Sequence, residues 1–266
     1  MKIICLANSY KHKGRCIAGI DLQSGRWIRP ISDLESGKIS EDNPHINVKN
    51  IQLLDIVDIP INSTEKLGHE IENYRYHNDF WQVMDKAKIT DLFPHCESSL
   101  LYPEFERCIP FNYFEHQSSV RTLQLIEVKS LYCYRNGYGK PKVRILDKEY
   151  GISDVELSIT DPIILERLND QHSFTCHGLV CLSFAQPWRK YEWEELMCYR
   201  LVAGVVEIFP ELEVILMEME RIGWNYHKGK QYLRHHFNKE SRYQLTQVQA
   251  QHFLEYLKNQ PDAERK

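Results

Sequence analysis

The stretch that decides the fold class lies at residues 2–32 and has the sequence KIICLANSYKHKGRCIAGIDLQSGRWIRPIS. It contains three short runs that are rich in apolar residues, Lys2–Ala7, Arg15–Asp21 and Arg26–Pro30, separated by polar turns. Short apolar runs between turn residues are typical of β-strands. The beginning of the chain is therefore predicted to form three strands in succession.

Strand-like sequence continues well beyond this stretch. The other main candidates are Ile51–Ile61, Val120–Tyr134, Pro141–Leu146, Cys176–Phe184 and Cys198–Glu207, with weaker ones at Glu70–Tyr76 and Asp154–Ile159. Asn136-Gly137, between two of these runs, is a strong hairpin signal. One helix is expected to begin at Asp161-Pro162, because Asp suits the N-cap and Pro the first turn. The pattern as a whole predicts about ten strands and few helices.

The hydrophobic period changes after Pro210. The next apolar residues recur every three or four positions, as on one face of a helix: Leu212, Ile215, Leu216, Met219 and Ile222. A second helix is predicted at Gly229–Phe237, and Thr246 with Gln249 forms a capping box before a third. Residues 209–266 are therefore expected to form a small α-helical C-terminal module.

The composition indicates a globular chain without a membrane segment. Hydrophobic residues make up 42% and charged residues 26% of the 266 positions, as in an ordinary folded domain. No apolar run approaches the roughly 18 residues of a membrane helix, and the start turns polar too early for a signal-peptide core. We expect a cytoplasmic protein with no membrane contact. The eight cysteines form no CxxC pair, so we expect buried thiols, no metal site and no cofactor.

Lysines and arginines are concentrated in three segments, although the formal net charge is −4. Residues 1–32, 120–148 and 221–243 each have a net charge of +5, whereas residues 33–119 and 149–220 are acidic. Separate basic segments could together form a surface for a polyanion, because local potential steers a ligand more than net charge does. The alternative is that folding pairs them with the acidic segments.

Two parts of the sequence resemble a known bacterial family. Residues 5–21, CLANSYKHKGRCIAGID, and residues 25–32, GRWIRPIS, resemble the beginning of the dual OB-fold family, and residues 199–204, YRLVAG, look like its closing strand. The resemblance implies a mainly β fold with two fused OB-like five-stranded barrels, at residues 1–110 and 111–208. It also implies binding of nucleic acid or nucleotides, in a bacterial defence or nucleic-acid-processing system, and no established catalytic set.

OB barrels bind single strands through a basic groove and exposed aromatic side chains on which bases stack. The sequence supplies such residues in three places. The first is the initial turn with the third strand: Tyr10, Lys11, His12, Lys13, Arg15, Arg26, Trp27 and Arg29. The second is the hairpin around Asn136: Tyr132, Tyr134, Arg135, Lys140, Lys142 and Arg144. The third is the predicted second helix of the C-terminal module: Lys230 and Arg234.

These candidates have ordinary structural alternatives. A tryptophan such as Trp27 can be a core residue, and the cations can form ion pairs or a solvated face. Our first hypothesis is a non-enzymatic protein that binds DNA or RNA, single strands in preference. Residues 209–266 are a candidate contact for a protein partner.

Two other functions stay open from the sequence alone. One is a protein-interaction adaptor whose barrels dock on a partner while the basic segments are incidental. The other is a metal-dependent nuclease, which needs carboxylates that converge on Mg²⁺. Asp55 with Asp58 and His69 with Glu70 and Glu72 are the best groupings, but residues 55 and 58 point to opposite faces of a regular strand. Motifs of P-loop, dinucleotide-binding, serine hydrolase and zincin enzymes do not occur.

Overall fold

The computed structural model describes residues 1–11, 14–33, 37–66, 70–77, 79–117 and 119–263, with the backbone alone at residues 62–66 and 243. The chain divides into two compact units, Met1–Val206 and Glu207–Lys266. Both β-sheets lie in the first unit, and the second unit is helical.

Seven strands form the first sheet: β1 (Lys2–Lys11), β2 (Gly14–Asp21), β3 (Trp27–Ile31), β4 (Asp55–Asp58), β5 (Ile61–Lys66), β6 (Asn73–Tyr76) and β7 (Gln82–Lys86). Their order is β5-β6-β3-β2-β1-β4-β7, with β3 and β6 parallel. β4 pairs with β1 and β5 pairs with β6, and between β4 and β5 lie Ile59 and Pro60. Since proline cannot donate to a strand ladder, the segment bends there. It thereby joins both ends of the β1–β2–β3–β6 sheet, and we call β1–β7 the first barrel.

Six strands form the second sheet: β8 (Cys108–Pro110), β9 (Leu123–Arg135), β10 (Pro141–Ile145), β11 (Leu157–Ile159), β12 (Ser173–Phe184) and β13 (Met197–Glu207). Their order is β11-β10-β9-β12-β13-β8, and a parallel β11–β13 pairing closes β9–β13 into a five-stranded barrel. We call β9–β13 the second barrel. Its interior is apolar, with Val128, Leu131 and Val143 fully buried.

The predicted mainly β class, with barrels followed by helices, is confirmed. The sequence pattern missed β7, because most of its side chains are exposed and show no buried face. It also missed β8 and the short helix α1 (Phe111–Glu115), which are too short for a periodic pattern. β8 precedes the predicted domain boundary at residue 110 yet pairs with β13 of the second sheet.

The hairpin around Asn136 forms with a wider turn than the Asn-Gly pair suggests. β9 ends at Arg135 and β10 begins at Pro141. The side-chain oxygen of Asn136 accepts from the N–H groups of Tyr138 and Lys140, at 3.1 and 3.0 Å, and Gly139 takes the positive φ of 71°. Asn136 therefore closes the turn with its side chain, and Gly139 supplies the left-handed residue.

The two barrels contact each other through the backbone. A Cβ on Gly204 of β13 would collide with the carbonyl of Leu6 in β1, so only glycine allows this approach. Nearby, Asp161 caps helix α2 (Pro162–Asp170): Oδ1 accepts from the N–H of Ile163 at 2.8 Å, and Oδ2 accepts from Val205 N–H at 2.8 Å. The predicted N-cap is confirmed.

The second unit contains the helices α3 (Glu211–Arg221), α4 (Tyr226–Phe237) and α5 (Gln247–Lys258). The predicted capping box is confirmed, because Thr246 accepts from the N–H of Gln249 and the Gln249 side chain accepts from Thr246 N–H. Apolar faces of α3 and α5 bury Ile215 and Phe253.

Candidate functional site: a cleft between the barrels

A cavity of about 620 Å³ lies between the first and second barrels. Its lining combines hydroxyl, aromatic and charged side chains, and includes Ser9, Tyr10, Lys11, Arg29, Glu70, Arg107, Ser158, Trp188 and Tyr199. A second cavity of about 350 Å³ shares Lys11, Arg29 and Glu70 with it, together with Ala185, Gln186 and Pro187. We call the two cavities together the cleft. Their sizes are those of pockets that enclose a small molecule.

Strands of both barrels position this lining. Tyr10 and Lys11 end β1, while Tyr199 lies in β13. The Tyr10 N–H donates to the carbonyl of Thr160 at 3.1 Å, which ties the first barrel to the second at the wall of the cleft. Tyr10 is 51% exposed, and the Arg15 guanidinium lies 4.2 Å from its ring centroid. One face of the Tyr10 ring is therefore supported by a cation.

The floor of the cleft is a buried polar network around Arg29. Its Nη1 lies 2.9 Å from Glu70 Oε2 and its Nη2 donates to Thr122 Oγ1 at 2.9 Å, with Glu72 Oε1 at 3.9 Å. Burial alone would lower the pKa of Arg29, but the Glu70 carboxylate above all, with Cys16 and Glu72, raises it above its ordinary value. Arg29 thus has its charge matched inside the protein, and it joins β3 to the second barrel.

Lys11 has a different environment. Its ammonium group has no hydrogen bond or ion pair within the described parts of the chain, although it lines both cavities. Burial lowers the pKa of Lys11, and the Arg29 charge lowers it further, while Cys16 and Glu70 oppose this. A partly buried cation without a partner is stabilised by an anion that enters from solvent.

Two further cations lie beside the cleft on the second barrel. Lys142 of β10 donates to Ser158 Oγ at 3.2 Å, and Ser158 lines the cleft. Burial lowers the pKa of Lys142, and the charges of Arg107 and Lys140 lower it further, while Glu156 opposes this. The exposed Arg107 lies 5.9 Å from the Tyr199 ring centroid. Arg107 and Lys142 form no ion pair with any described carboxylate, so their mutual repulsion favours an anionic ligand.

Arg200 holds the segment that carries Arg107. Arg200 is 2% exposed, and its guanidinium donates to the carbonyls of Leu101 and Phe105 at 2.9 Å each, and of Glu106 at 3.1 Å. Burial without a bonded carboxylate lowers the pKa of Arg200 to about 10. The backbone N–H of Arg200 donates to the carbonyl of Arg107 at 2.8 Å. Arg200 therefore fixes the backbone from which Arg107 projects.

The first predicted group of binding residues is divided by the structure. Tyr10 and Lys11 line the cleft, whereas the exposed Arg26, directly before β3, is in neither lining. Arg15 lies in β2, not in a projecting loop, and its Nε contacts Glu41 Oε1 at 2.5 Å. Trp27 is 9% exposed, so it is a core residue and presents no face for stacking.

Arg29, a candidate binding residue in the sequence, is 5% exposed and belongs to the buried network. Gly14 at the start of β2 allows a close approach of the backbone, since a Cβ there would lie 2.6 Å from the Ile39 carbonyl oxygen. His12 and Lys13 lie outside the described residues.

The hairpin group is partly neutralised. Tyr132 and Tyr134 stack with their centroids 4.9 Å apart, and the Tyr134 hydroxyl contacts Glu156. Glu156 also pairs with Arg144 at 3.5 Å. Arg135 donates to the carbonyls of Leu168 and Gly139 at 3.0 and 2.8 Å, so it supports the hairpin instead of projecting from it. Lys140 and Lys142 are left without a carboxylate partner in the described part of the hairpin.

The third group lies in the second unit, where both of its cations pair with one carboxylate. Glu240 Oε1 and Oε2 accept from Arg234 at 2.7 Å each, and Oε2 lies 3.0 Å from Lys230 Nζ. The two hydrogen bonds raise the pKa of Arg234 and lower that of Glu240. Because they are paired with Glu240, Lys230 and Arg234 are less available to phosphates than unpaired cations on a solvated helix would be.

Comparison with known protein families explains the architecture. A family model described as the dual OB-containing domain matches residues 1–205. The chain belongs to this dual OB-containing family. No curated protein matches the chain. No solved structure matches it either.

In a dual OB-containing chain, the loops between strands 1 and 2 and between strands 4 and 5 of a barrel are of special interest, because OB folds bind ligands there. In the second barrel these loops are residues 136–140, after β9, and residues 185–196, after β12. The face of its second and third strands carries Lys142 and Ser158. The cleft thus lies on the side of the second barrel where OB folds take their ligands.

The loop after β12 contains none of the binding residues that were predicted from the sequence. It reads QPWRKYEWEE at residues 186–195, and all of these residues are exposed. The rings of Tyr191 and Trp193 stack with centroids 4.8 Å apart and an interplanar angle of 1°, and Trp193 is 82% exposed. Trp188 exchanges two backbone hydrogen bonds of 3.0 Å with Met197, which fixes it at the cleft. The signal was visible in the sequence as three aromatic residues interleaved with Arg189 and Lys190. We call residues 186–195 the aromatic loop.

Of the carboxylates considered for a nuclease, Glu70 and Glu72 converge on Arg29 and Thr122, whereas Asp55 and Asp58 pair with different cations. Asp55 pairs with Lys86 at 2.7 Å, whereas Asp58 pairs with the N-terminal amine at 3.4 Å. Glu70 faces Arg29, and His69 is not among the described residues. Within the described ranges, no three His, Cys, Asp or Glu side chains are arranged to hold a metal ion. The helices that the structure describes are too short or too polar to cross a membrane.

Proposed function

We propose that this protein binds nucleic acid, with single strands preferred, across the cleft and the adjoining face of the second barrel. One observation carries the proposal: Lys11, Arg107 and Lys142, which have no carboxylate partner in the described chain, surround a cleft lined by Tyr10, Trp188 and Tyr199. Cations that track phosphates and rings that stack on bases are the two parts of a single-strand site.

Charge pairing elsewhere in the molecule supports this location. Arg15, Arg144 and Arg234 each contact a carboxylate within 4 Å. Cations that are already paired gain less from a phosphate than unpaired ones do, because the internal partner must be given up. The preference for single strands follows from the exposed rings of the aromatic loop, since stacked bases in a duplex offer no free face.

Binding should be measured by fluorescence anisotropy on single- and double-stranded DNA and RNA of one sequence across a salt series. If three to five phosphates are neutralised, log affinity against log salt should fall with a slope of about −2 to −4 for single strands. Substitution of Lys11, Arg107 and Lys142 together by Ala should weaken binding to all sequences and flatten the slope by about 2 units.

A matched control removes three exposed lysines that do not line the cleft, Lys2, Lys129 and Lys148. The control variant should bind with nearly the parent slope. Absence of binding at low salt, a slope near zero, or equal effects of the two triple variants would contradict the proposed function.

A further inference from the structure

Hydrogen bonds between the barrels close the floor and part of one wall of the cleft. Tyr10 N–H donates to the Thr160 carbonyl at 3.1 Å, and both residues line the larger cavity. Arg29 Nη2 donates to Thr122 Oγ1 at 2.9 Å and to Ser183 Oγ at 3.3 Å, which joins the barrels beneath both cavities. These bonds close the floor and part of one wall, so a nucleotide enters the cleft from its open mouth.

Positively charged residues outnumber negatively charged ones in the lining of the larger cavity. The larger cavity is lined by three cations, Lys11, Arg29 and Arg107, against the one carboxylate of Glu70. Glu70 contacts Arg29 at 2.9 Å, which leaves Lys11 and Arg107 to an incoming anion. An internal phosphodiester brings one negative charge, whereas a phosphomonoester brings about 1.5 to 2 at neutral pH. Two unmatched cations therefore fit a phosphomonoester better.

The apolar lining suits a nucleobase. Tyr10, Trp188 and Tyr199 line the larger cavity, and the smaller cavity adds Ile31 and Phe114. Trp188 and Tyr199 meet edge to face with their centroids 6.0 Å apart. Rings arranged as a wall can stack on a base of any identity.

We propose that the cleft holds a nucleotide that ends in a phosphomonoester, with the phosphate at Lys11 and Arg107 and the base against the aromatic wall. The nucleotide is either free or the last residue of a strand. The inference rests on the proposed function when the source is a strand, and it stands alone when the source is a free nucleotide.

The experiment compares ligands that differ only at their ends. One oligonucleotide sequence is prepared with a 5′-phosphate, with a 3′-phosphate, with hydroxyls at both ends, and as a covalently closed circle. Affinities are measured by anisotropy at one salt concentration, with free nucleoside monophosphates as competitors. We expect one phosphorylated end to bind about tenfold more tightly than the circle, as 1.4 kcal/mol of added contact would give.

Two variants test the location. Lys11→Met removes the cation that lines both cavities, and Ala185→Trp fills the shared wall without a change of charge. Each should abolish the preference for the phosphorylated end while thermal unfolding shows a folded protein. Lys142→Ala is the matched control, because Lys142 lies outside both linings. It should weaken all strands by one common factor and keep the end preference.

The outcomes separate the two proposals. Equal affinity for the circle and for every linear form would overturn the inference and leave strand binding intact. Binding of the free monophosphate without binding of any strand supports the inference and overturns the proposed function. If both folded variants retain the end preference, the phosphate is bound elsewhere and the inference is wrong.

Discussion

Arg200 shows how one residue can shape the site without lining it. Its guanidinium bonds to carbonyls of the segment that precedes Arg107, and it is 2% exposed. Replacement by Met would leave those carbonyls without a donor, at a cost of about 2–4 kcal/mol in unfolding free energy. Urea unfolding of Arg200→Met should show this loss, and the exposed Arg189→Met should unfold like the parent protein. If Arg200→Met unfolds at the same urea concentration as the parent protein, Arg200 does not stabilise the segment before Arg107.

Glu70 makes the buried network sensitive to acid. Burial alone would raise the pKa of Glu70, but Arg29, followed by Asn73, lowers it below its ordinary 4.5. A carboxyl whose pKa falls on folding stabilises the protein above its ordinary pKa, and this contribution disappears as the pH falls through the lower folded value. Glu70→Gln should therefore be less stable at neutral pH and should lose less stability between about pH 5 and pH 3.

Urea unfolding at several pH values tests this, with the exposed Glu149→Gln as the control that should retain the parental pH dependence. If Glu70→Gln keeps the full acid-dependent loss of the parent, Glu70 is not the group responsible.

The aromatic loop is the element on which single-strand binding should depend most. Tyr191 and Trp193 form an exposed stacked pair, with Lys190 Nζ 4.9 Å from the Tyr191 ring centroid. A base stacked on such rings contributes about 1–3 kcal/mol, and stacking releases no counterions. The double variant Tyr191→Ala/Trp193→Ala should therefore bind single strands about tenfold more weakly with an unchanged salt slope. The exposed Phe80→Ala in the first barrel is the control and should bind like the parent. A changed slope would show that the loop acts through charge.

The elements were predictable where their pattern is local. Short apolar runs predicted most of the strands, and the capping residues Asp161 and Thr246 predicted two helix starts, because these signals depend on neighbours in sequence. Whether a given lysine or arginine forms an ion pair was not predictable in this way. Arg15 meets Glu41, which is 26 positions away, and Arg29 meets Glu70. Such pairs form only after the strands are arranged, so composition could not separate paired cations from free ones.

The molecule as a whole is acidic, so the proposed binding requires a local positive potential. Folding brings acidic segments onto many of the basic residues, as at Arg15, Arg29 and Arg144. Among the described cations without a carboxylate partner, Lys11 and Arg107 line the cleft and Lys142 lies beside it. The basic segments at residues 1–32 and 120–148 therefore contribute only Lys11 and Lys142 to these cations. Arg107 comes from the acidic segment at residues 33–119, so the distribution of charge along the sequence did not point to it.

Truncation tests whether this surface is complete in the first unit. Both sheets lie within Met1–Val206 apart from Glu207, the last residue of β13, and the family match ends at residue 205. A protein that ends at Glu207 should remain soluble, keep a β-rich circular dichroism spectrum and unfold cooperatively. Because Lys230 and Arg234 already pair with Glu240, its affinity for single strands should stay within about twofold of the full chain. Aggregation of the fragment would show that residues 208–266 cover an apolar surface, and a larger loss of affinity in a folded fragment would place phosphate contacts in the helices.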